Sequence, residues 1–373
     1  MDIRTPNPVA EVSWFAPLCS DDYEFLGEPS PALASSLAHT RSIAAAADRL
    51  GFNNMLCPSS YQAGVDPLVF AAAVGPQLSQ MHLLTAIRCG EMHPLMLARA
   101  LAGVDEALGG RLTINIISSE MPGESLSSEA RYRRSAELVT ILKRCWADDT
   151  ISFKGEFFSF DEVTTKPVKL SHSKRAPLLY FGGMAPAGLE LCAAEGDVYL
   201  MWPETDDRLL GLMRDVSRRA AAHDRTVDFG LRIHVIVRET ESEARAYAQR
   251  LVSRLDDATG AQIRGRALDA KSLGVARQAE MRDLADADGY VGRHLWTGIG
   301  RARSGCGCAL VGDPDQIYGE LTRYMEMGFR SFILSGYPHG QECNLFGKYV
   351  LPRLPTVALS SLRRPASQSS VGR

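Results

Sequence analysis

The stretch "FGLRIHVIVRET", residues 229 to 240, sets Arg232 and His234 inside a run of isoleucine and valine. Side chains alternate faces along a strand, so groups two positions apart point the same way. A guanidinium and an imidazole on one face of a buried strand can bind an anion or handle a proton. Burying a guanidinium without a counter-charge is costly. Arg232 therefore needs either a carboxylate that cements the fold or an anionic ligand, and the local sequence leaves both open.

Other residues of chemical interest fall at the ends of apolar runs. Trp202 closes "DVYLMW", Asn115 lies within "TINIIS", and Tyr337 and His339 follow the run in "ILSGYPHG". In "YFGGMAP", Gly182, Gly183 and Met184 join a strand to a helix, a place where backbone N–H groups receive a phosphate or simply make a tight turn. Arg131 and Tyr132 in "SSEARYRRSAEL" begin a helix; both can donate to phosphate oxygens, or can belong to a solvated helix start. Arg303 lies in a glycine-rich loop, "GIGRARSGCGC". Cys306 and Cys308 in that loop lack two further ligands at matched spacing, so no metal site is expected, and the other six cysteines are scattered. Neither a Walker A motif nor a dinucleotide fingerprint is present.

Short apolar runs alternate with helical patterns along the chain. The strand candidates are "EVSWFAP", "NNMLCPS", "MHLLTAI", "RLTINIIS", "LLYFGG", "DVYLMW", the run around Arg232, and "SFILSGYP". Helical patterns follow each of the first seven, with one hairpin, "TISFKGEFFSF", after the fourth helix. Eight β/α units with right-handed crossovers predict a closed α/β TIM barrel, with a doubly wound open sheet as the competitor. Barrel active sites form at the C-terminal strand ends, where Trp202, Tyr337 and His339 would converge. Residues 259–308, before the eighth strand, lack a sustained strand pattern and are expected to form an insertion that acts as a lid. One domain is expected over residues 1–355, and the polar residues 356–373 are expected to be a disordered tail.

The formal net charge of −3 and the absence of a basic run exclude an electrostatic footprint for nucleic acid or anionic lipid. No apolar stretch reaches the roughly 18 residues of a spanning helix, and no signal-peptide core opens the chain. A soluble, cytoplasmic protein is expected.

Together these segments resemble the FMNH2-dependent alkanesulfonate monooxygenases of the bacterial luciferase-like superfamily, from about Trp14 to Leu354. "LRIHVIVRET", "GCALVGDP" and "FILSGYPH" are especially similar. The resemblance implies a TIM barrel that uses reduced FMN, supplied by a separate NAD(P)H-dependent flavin reductase, and O2 to convert a small anionic sulfonate to an aldehyde and sulfite. It also implies a homo-oligomer. Carried onto this chain, Arg232, His234, Tyr337 and Arg303 are the expected catalytic residues, with Arg303 closing over the pocket from the insertion. Trp202 and His339 are expected to touch substrate. Asn115, Arg131, Tyr132 and the backbone of Gly182, Gly183 and Met184 are expected to hold FMN.

The chain differs from the family pattern at two places. Gly64 occupies the position of a family cysteine after the second strand, and Gly182-Gly183-Met184-Ala185 replaces a Gly-Gly-Ser-Ser phosphate turn. Three alternatives stand beside the main expectation: a monooxygenase of specialised metabolism acting on another carbon, nitrogen or sulfur centre, use of the deazaflavin F420, and a non-catalytic flavin-binding relative.

Overall fold

The computed structural model describes residues 1–61, 64–165, 176–265 and 272–362. Eight parallel strands close on themselves: β1 (Glu11–Phe15), β2 (Asn54–Cys57), β3 (His82–Arg88), β4 (Leu112–Ile117), β5 (Leu179–Gly182), β6 (Val198–Met201), β7 (Asp228–Val237) and β8 (Phe329–Ser335). Each pairs with the next, and β8 returns to β1 through Ser13 opposite Ile333. This is the TIM barrel, and closure excludes the open sheet.

The helices pack outside, and their ends carry local signals. Helix α1 (Leu37–Leu50) starts at Ser36, whose hydroxyl accepts from the His39 amide, and stops at Gly51 in the left-handed region, φ 92°. Helix α2 (Pro67–Val74) begins with Asp66 accepting from the Val69 amide and proline in the first turn. Then come α3 (Pro94–Ala107), α4 (Ser128–Ala147), α5 (Pro186–Glu195), α6 (Asp206–Ala221) and α7 (Glu241–Val252). The hairpin after α4 pairs Thr150–Lys154 with Ser159–Thr164. None of the described helices is long and apolar enough to cross a membrane.

The stretch 259–308 holds most of α8 (Asp257–Gly265), all of α9 (Leu273–Asp283) and two strands of two residues each, Tyr290–Val291 and Leu295–Trp296. Those strands are too short to leave a sequence period. They form an antiparallel ribbon with Ala309–Gly312, which adds in parallel to His234–Val237, the upper half of β7. The insertion is thereby tied to the strand that carries Arg232 and His234. Helices α10 (Pro314–Met327) and α11 (His339–Tyr349) flank β8.

The tail expectation needs one correction. Residues 356–362 are not a loose end: Thr356 bridges to Ala10, the Val357 amide donates to the Ala10 carbonyl, and Leu359 is fully buried among Leu56, Leu84, Tyr180 and Ile333. One apolar anchor and backbone bonds hold this polar segment across the N-terminal mouth. Residues 363–373 lie outside the described residues.

Candidate active site

Arg232 and His234 face the barrel interior, opposite Ile333 and Ser335 of β8. Arg232 starts two residues lower than His234, but its stem lifts the guanidinium to the mouth, where Nη2 donates to Ser335 Oγ at 2.8 Å and Nη1 to the Ile233 carbonyl at 3.0 Å. The group lies over the Phe15 ring, 4.5 Å from its centroid. Among the described residues Arg232 forms no ion pair with a carboxylate. The buried Arg–carboxylate bridge that the sequence left open is therefore not what holds it. Burial first, and then the charge of Arg303, draws its pKa down to about 10.

Arg303 reaches the same place from the insertion. Its Nη1 donates to Tyr337 Oη at 2.6 Å and to Asp21 Oδ2 at 2.9 Å, and its guanidinium lies 5.3 Å from the centroid of the same Phe15 ring. Burial alone would lower the Arg303 pKa; Tyr337 and Asp21 more than reverse that and hold it above its ordinary value. Two guanidinium groups thus share one aromatic ring; Asp21 is bonded to Arg303 and Asp22 caps His339, so among the described residues Arg232 is the cation of this cluster with no carboxylate bonded to it.

His234 is fully buried. Its Nδ1 lies 2.8 Å from Ser335 Oγ, and its Nε2 has no hydrogen-bond partner. Burial, followed by the charges of Arg232 and Arg303, holds its pKa well below the usual histidine range, so the ring is neutral. The Tyr337 ring sits 5.3 Å from the His234 ring and the His339 ring 5.3 Å from Tyr337. Burial raises the Tyr337 pKa, so the hydroxyl keeps its proton. His339 opens α11, its amide capped by Asp22 at 2.9 Å, and both its ring nitrogens are buried without partners.

Trp202, just past β6, lies under the insertion: a Cβ on Gly274 would come within 2.8 Å of its ring and one on Gly305 within 3.5 Å. Of the glycines of "SGCGC", Gly307 serves close packing, since a Cβ there would come 2.9 Å from the Gly300 Cα. Cys306 Sγ contacts the Arg232 carbonyl at 3.0 Å, and all eight cysteines are free.

A second corner forms around β5 and α5. Tyr132 packs edge-on against Phe181, and a Cβ on Gly183 or Gly188 would fall 3.0 Å from its hydroxyl and 2.9 Å from its ring, respectively. Only glycines let the tyrosine lie over this turn. Helix α5 starts at Ala185 with no side-chain cap; Pro186 has no N–H and the Gly188 N–H donates to the Ala185 carbonyl at 2.8 Å, which leaves the Ala187 N–H for another acceptor. Burial raises the Tyr132 pKa, which keeps the hydroxyl a donor. A phosphate monoester fits this donor set. Arg131 is engaged nearby, donating to the Ser118 and Leu126 carbonyls and pairing with Glu120 at 3.3 Å. Asn115 is half-buried on β4, level with Tyr180 of β5.

The structure therefore gathers Arg232, His234, Arg303, Tyr337 and His339 in one cluster, sets Trp202 beneath the insertion, and places Tyr132 against Gly183, with Arg131 turned to the loop after β4. Sequence reading missed Phe15, Asp21 and Ser335. Ser335 shares the face of Ile333 in "FILSGYP" and was the most accessible of the three, because its register with His234 follows from strand order.

A family model described as luciferase-like monooxygenase matches residues 11–331. The chain is 56% identical over 350 residues to a sulfoquinovose monooxygenase of Agrobacterium fabrum, covering 94% of this chain and 91% of that one. It is 49% identical to a sulfoquinovose monooxygenase of Novosphingobium aromaticivorans, covering 92% and 96%. Among solved structures, the oxygenating constituent of 3,6-diketocamphane monooxygenase from Pseudomonas putida, in complex with FMN, superposes with a TM-score of 0.68 at 16% identity, covering 94% of this chain and all of that one.

Proposed function

The chain belongs to the luciferase-like monooxygenase family, and on that premise we propose that it desulfonates a sulfonated sugar of the sulfoquinovose kind with FMNH2 and O2. The observation that carries this reading is Arg232, a buried guanidinium with no carboxylate bonded to it among the described residues, which lies with Arg303 at the Phe15 ring. A sulfonate bears a permanent charge on three weakly basic oxygens, which suits two guanidinium groups and neutral N–H and O–H donors. Two close relatives are sulfoquinovose monooxygenases, which favours a sugar sulfonate over a plain alkanesulfonate. Fold similarity to a monooxygenase solved with FMN supports the flavin.

In this reading Tyr132, the Gly182–Gly183–Met184 backbone and the start of α5 hold the FMN phosphate, with Asn115 and Arg131 beside it. Reduced FMN supplies two electrons to O2 and comes from a separate flavin reductase. One oxygen atom becomes the aldehyde oxygen on the carbon that carried sulfur, the other leaves as water, and sulfur leaves as hydrogensulfite. Arg232 and Arg303 grip the sulfonate and offset negative charge that develops on oxygen. The insertion closes over the mouth, and Phe15 and Trp202 keep water from it.

The test supplies FMNH2 to the protein anaerobically, adds O2 with sulfoquinovose, a linear alkanesulfonate or a matching carboxylate, and measures sulfite and the organic product by mass. Sulfite in step with O2, fastest with the sugar, is expected. Oxygen uptake without sulfite from any sulfonate would sink the desulfonation reading, and an oxygenated carboxylate would replace it.

A further inference from the structure

We propose that Ser335 fixes His234 as the tautomer protonated on Nε2, so that His234 offers the pocket a hydrogen-bond donor and does not act as a base. This deepens the reading above and rests on it for the reaction, though not for the tautomer.

Ser335 Oγ stands between two neighbours at 2.8 Å, Arg232 Nη2 and His234 Nδ1. A guanidinium can only donate, so one lone pair of Oγ is taken by Arg232. The serine has a single proton. If it goes to Nδ1, Oγ accepts once and donates once, Nδ1 accepts, and the only unsatisfied group is the N–H on Nε2. If Nδ1 were the donor instead, Oγ would accept twice, its own proton would be stranded in a buried site, and Nε2 would be a stranded acceptor as well. The first arrangement leaves one orphan and the second leaves two. The second also turns a positive N–H end toward the Arg232 charge.

Nε2 is the buried ring nitrogen that remains, with no hydrogen bond of good geometry among the described residues, although the Cys306 backbone lies close enough to the ring to favour its protonated form. An N–H that makes no bond of good geometry within the protein, beside two guanidinium groups, is completed by an acceptor on a ligand. Tyr337 follows the same rule: Arg303 donates to its oxygen at 2.6 Å, which leaves the phenolic proton for another acceptor. Arg232, Arg303, His234 and Tyr337 then all present hydrogens. These four groups are complementary to an oxyanion and none of them is positioned to accept a proton; the acceptor beside them is the Asp21 carboxylate, whose Oδ1 is buried without a partner. Ser335 is a positioning residue, acting through the imidazole it orients.

The direct measurement is nitrogen NMR of full-length protein labelled in its histidine rings, with the His234 signals assigned by their loss in His234→Gln. A protonated Nε2 and a bare Nδ1, unchanged from about pH 6 to about pH 9, are expected. A proton on Nδ1, or a doubly protonated ring in that range, overturns the proposal. In Ser335→Ala the two forms should mix, and in Ser335→Thr, which keeps the hydroxyl, the Nε2–H form should persist. An unchanged tautomer in Ser335→Ala also overturns it. Turnover should fall about ten-fold or more in kcat for Ser335→Ala, with KM less affected, and be restored by threonine, matching the loss of one donor aimed at developing charge. Failure of the wild type to turn over any sulfonate counts against the proposed reaction, while the NMR spectra decide the tautomer independently.

Discussion

A lone guanidinium in a protein interior destabilises the fold unless something answers its charge, and Arg232 has only neutral acceptors and an aromatic face. Replacing it should therefore separate function from stability. In Arg232→Met the stem is kept and the charge removed. We expect kcat/KM for the sulfonate to fall by about a hundred-fold or more, the scale of one to two charge-assisted bonds at about 1.5–3 kcal/mol each, while Tm holds or rises. A lower Tm with unchanged kcat/KM would make Arg232 a structural residue. At this scale the sequence was informative wherever strand parity sufficed: Arg232 and His234 two apart, Tyr337 and His339 beyond a strand end. Phe15, Asp21 and Ser335 escaped because their meaning lies in partners 217, 282 and 101 positions away.

Elements depend on contacts that fix the angle at which one leaves another. Asp48, in the last turn of α1, accepts from the amides of Ser79, Gln80 and Met81 and from the Ser79 hydroxyl, and so aims the loop that enters β3. Burial would raise its pKa, but these four bonds outweigh burial and hold it below the usual carboxylate value. A depressed folded pKa gives stability that is present above the unfolded pKa and lost as pH falls through the folded one. Asp48→Asn should cost about 1–2 kcal/mol in denaturant unfolding at neutral pH, with the gap to wild type closing in acid. An equal gap at all pH values would refute the charge dependence. Gly64 behaves differently: at φ 119°, a Cβ there would sit 1.6 Å from the Leu18 carbonyl oxygen. The missing cysteine was legible in the sequence, whereas its cause, the close approach of the β1–α1 loop, was not. Gly64→Cys should destabilise by about 1–3 kcal/mol or more and should not raise activity; a stable, faster variant would show that the loop yields.

The whole molecule is a barrel with two differently built mouths. The eight-fold alternation that positions the C-terminal mouth was readable because each unit repeats a period, strand then helix. The segment that crosses the N-terminal mouth was expected to be part of a disordered tail, because a polar stretch of this kind gives no period and its hold on the barrel depends on a single leucine. There Glu11 is fully buried; it accepts from Tyr180 Oη at 2.5 Å and Asn54 Nδ2 at 3.2 Å through Oε1, and from the Leu359 amide at 3.0 Å through Oε2. Burial, the largest influence, raises its pKa despite those bonds. The C-terminal segment is thus both plug and hydrogen-bond donor for a carboxyl that water does not reach. In Leu359→Ala the amide remains but its apolar anchor is lost, and the fold should lose about 2–5 kcal/mol, as for other fully buried leucines. Because this mouth is opposite Arg232 and Arg303, kcat/KM at a temperature where the variant is folded should stay within about two-fold of wild type, distant sites being close to additive. Unfolding curves and sulfite assays on the same preparation separate the outcomes. A variant as stable as wild type would mean that Leu359 fills space without bearing on stability, and a stable variant with lost turnover would mean that the two mouths communicate through the barrel core.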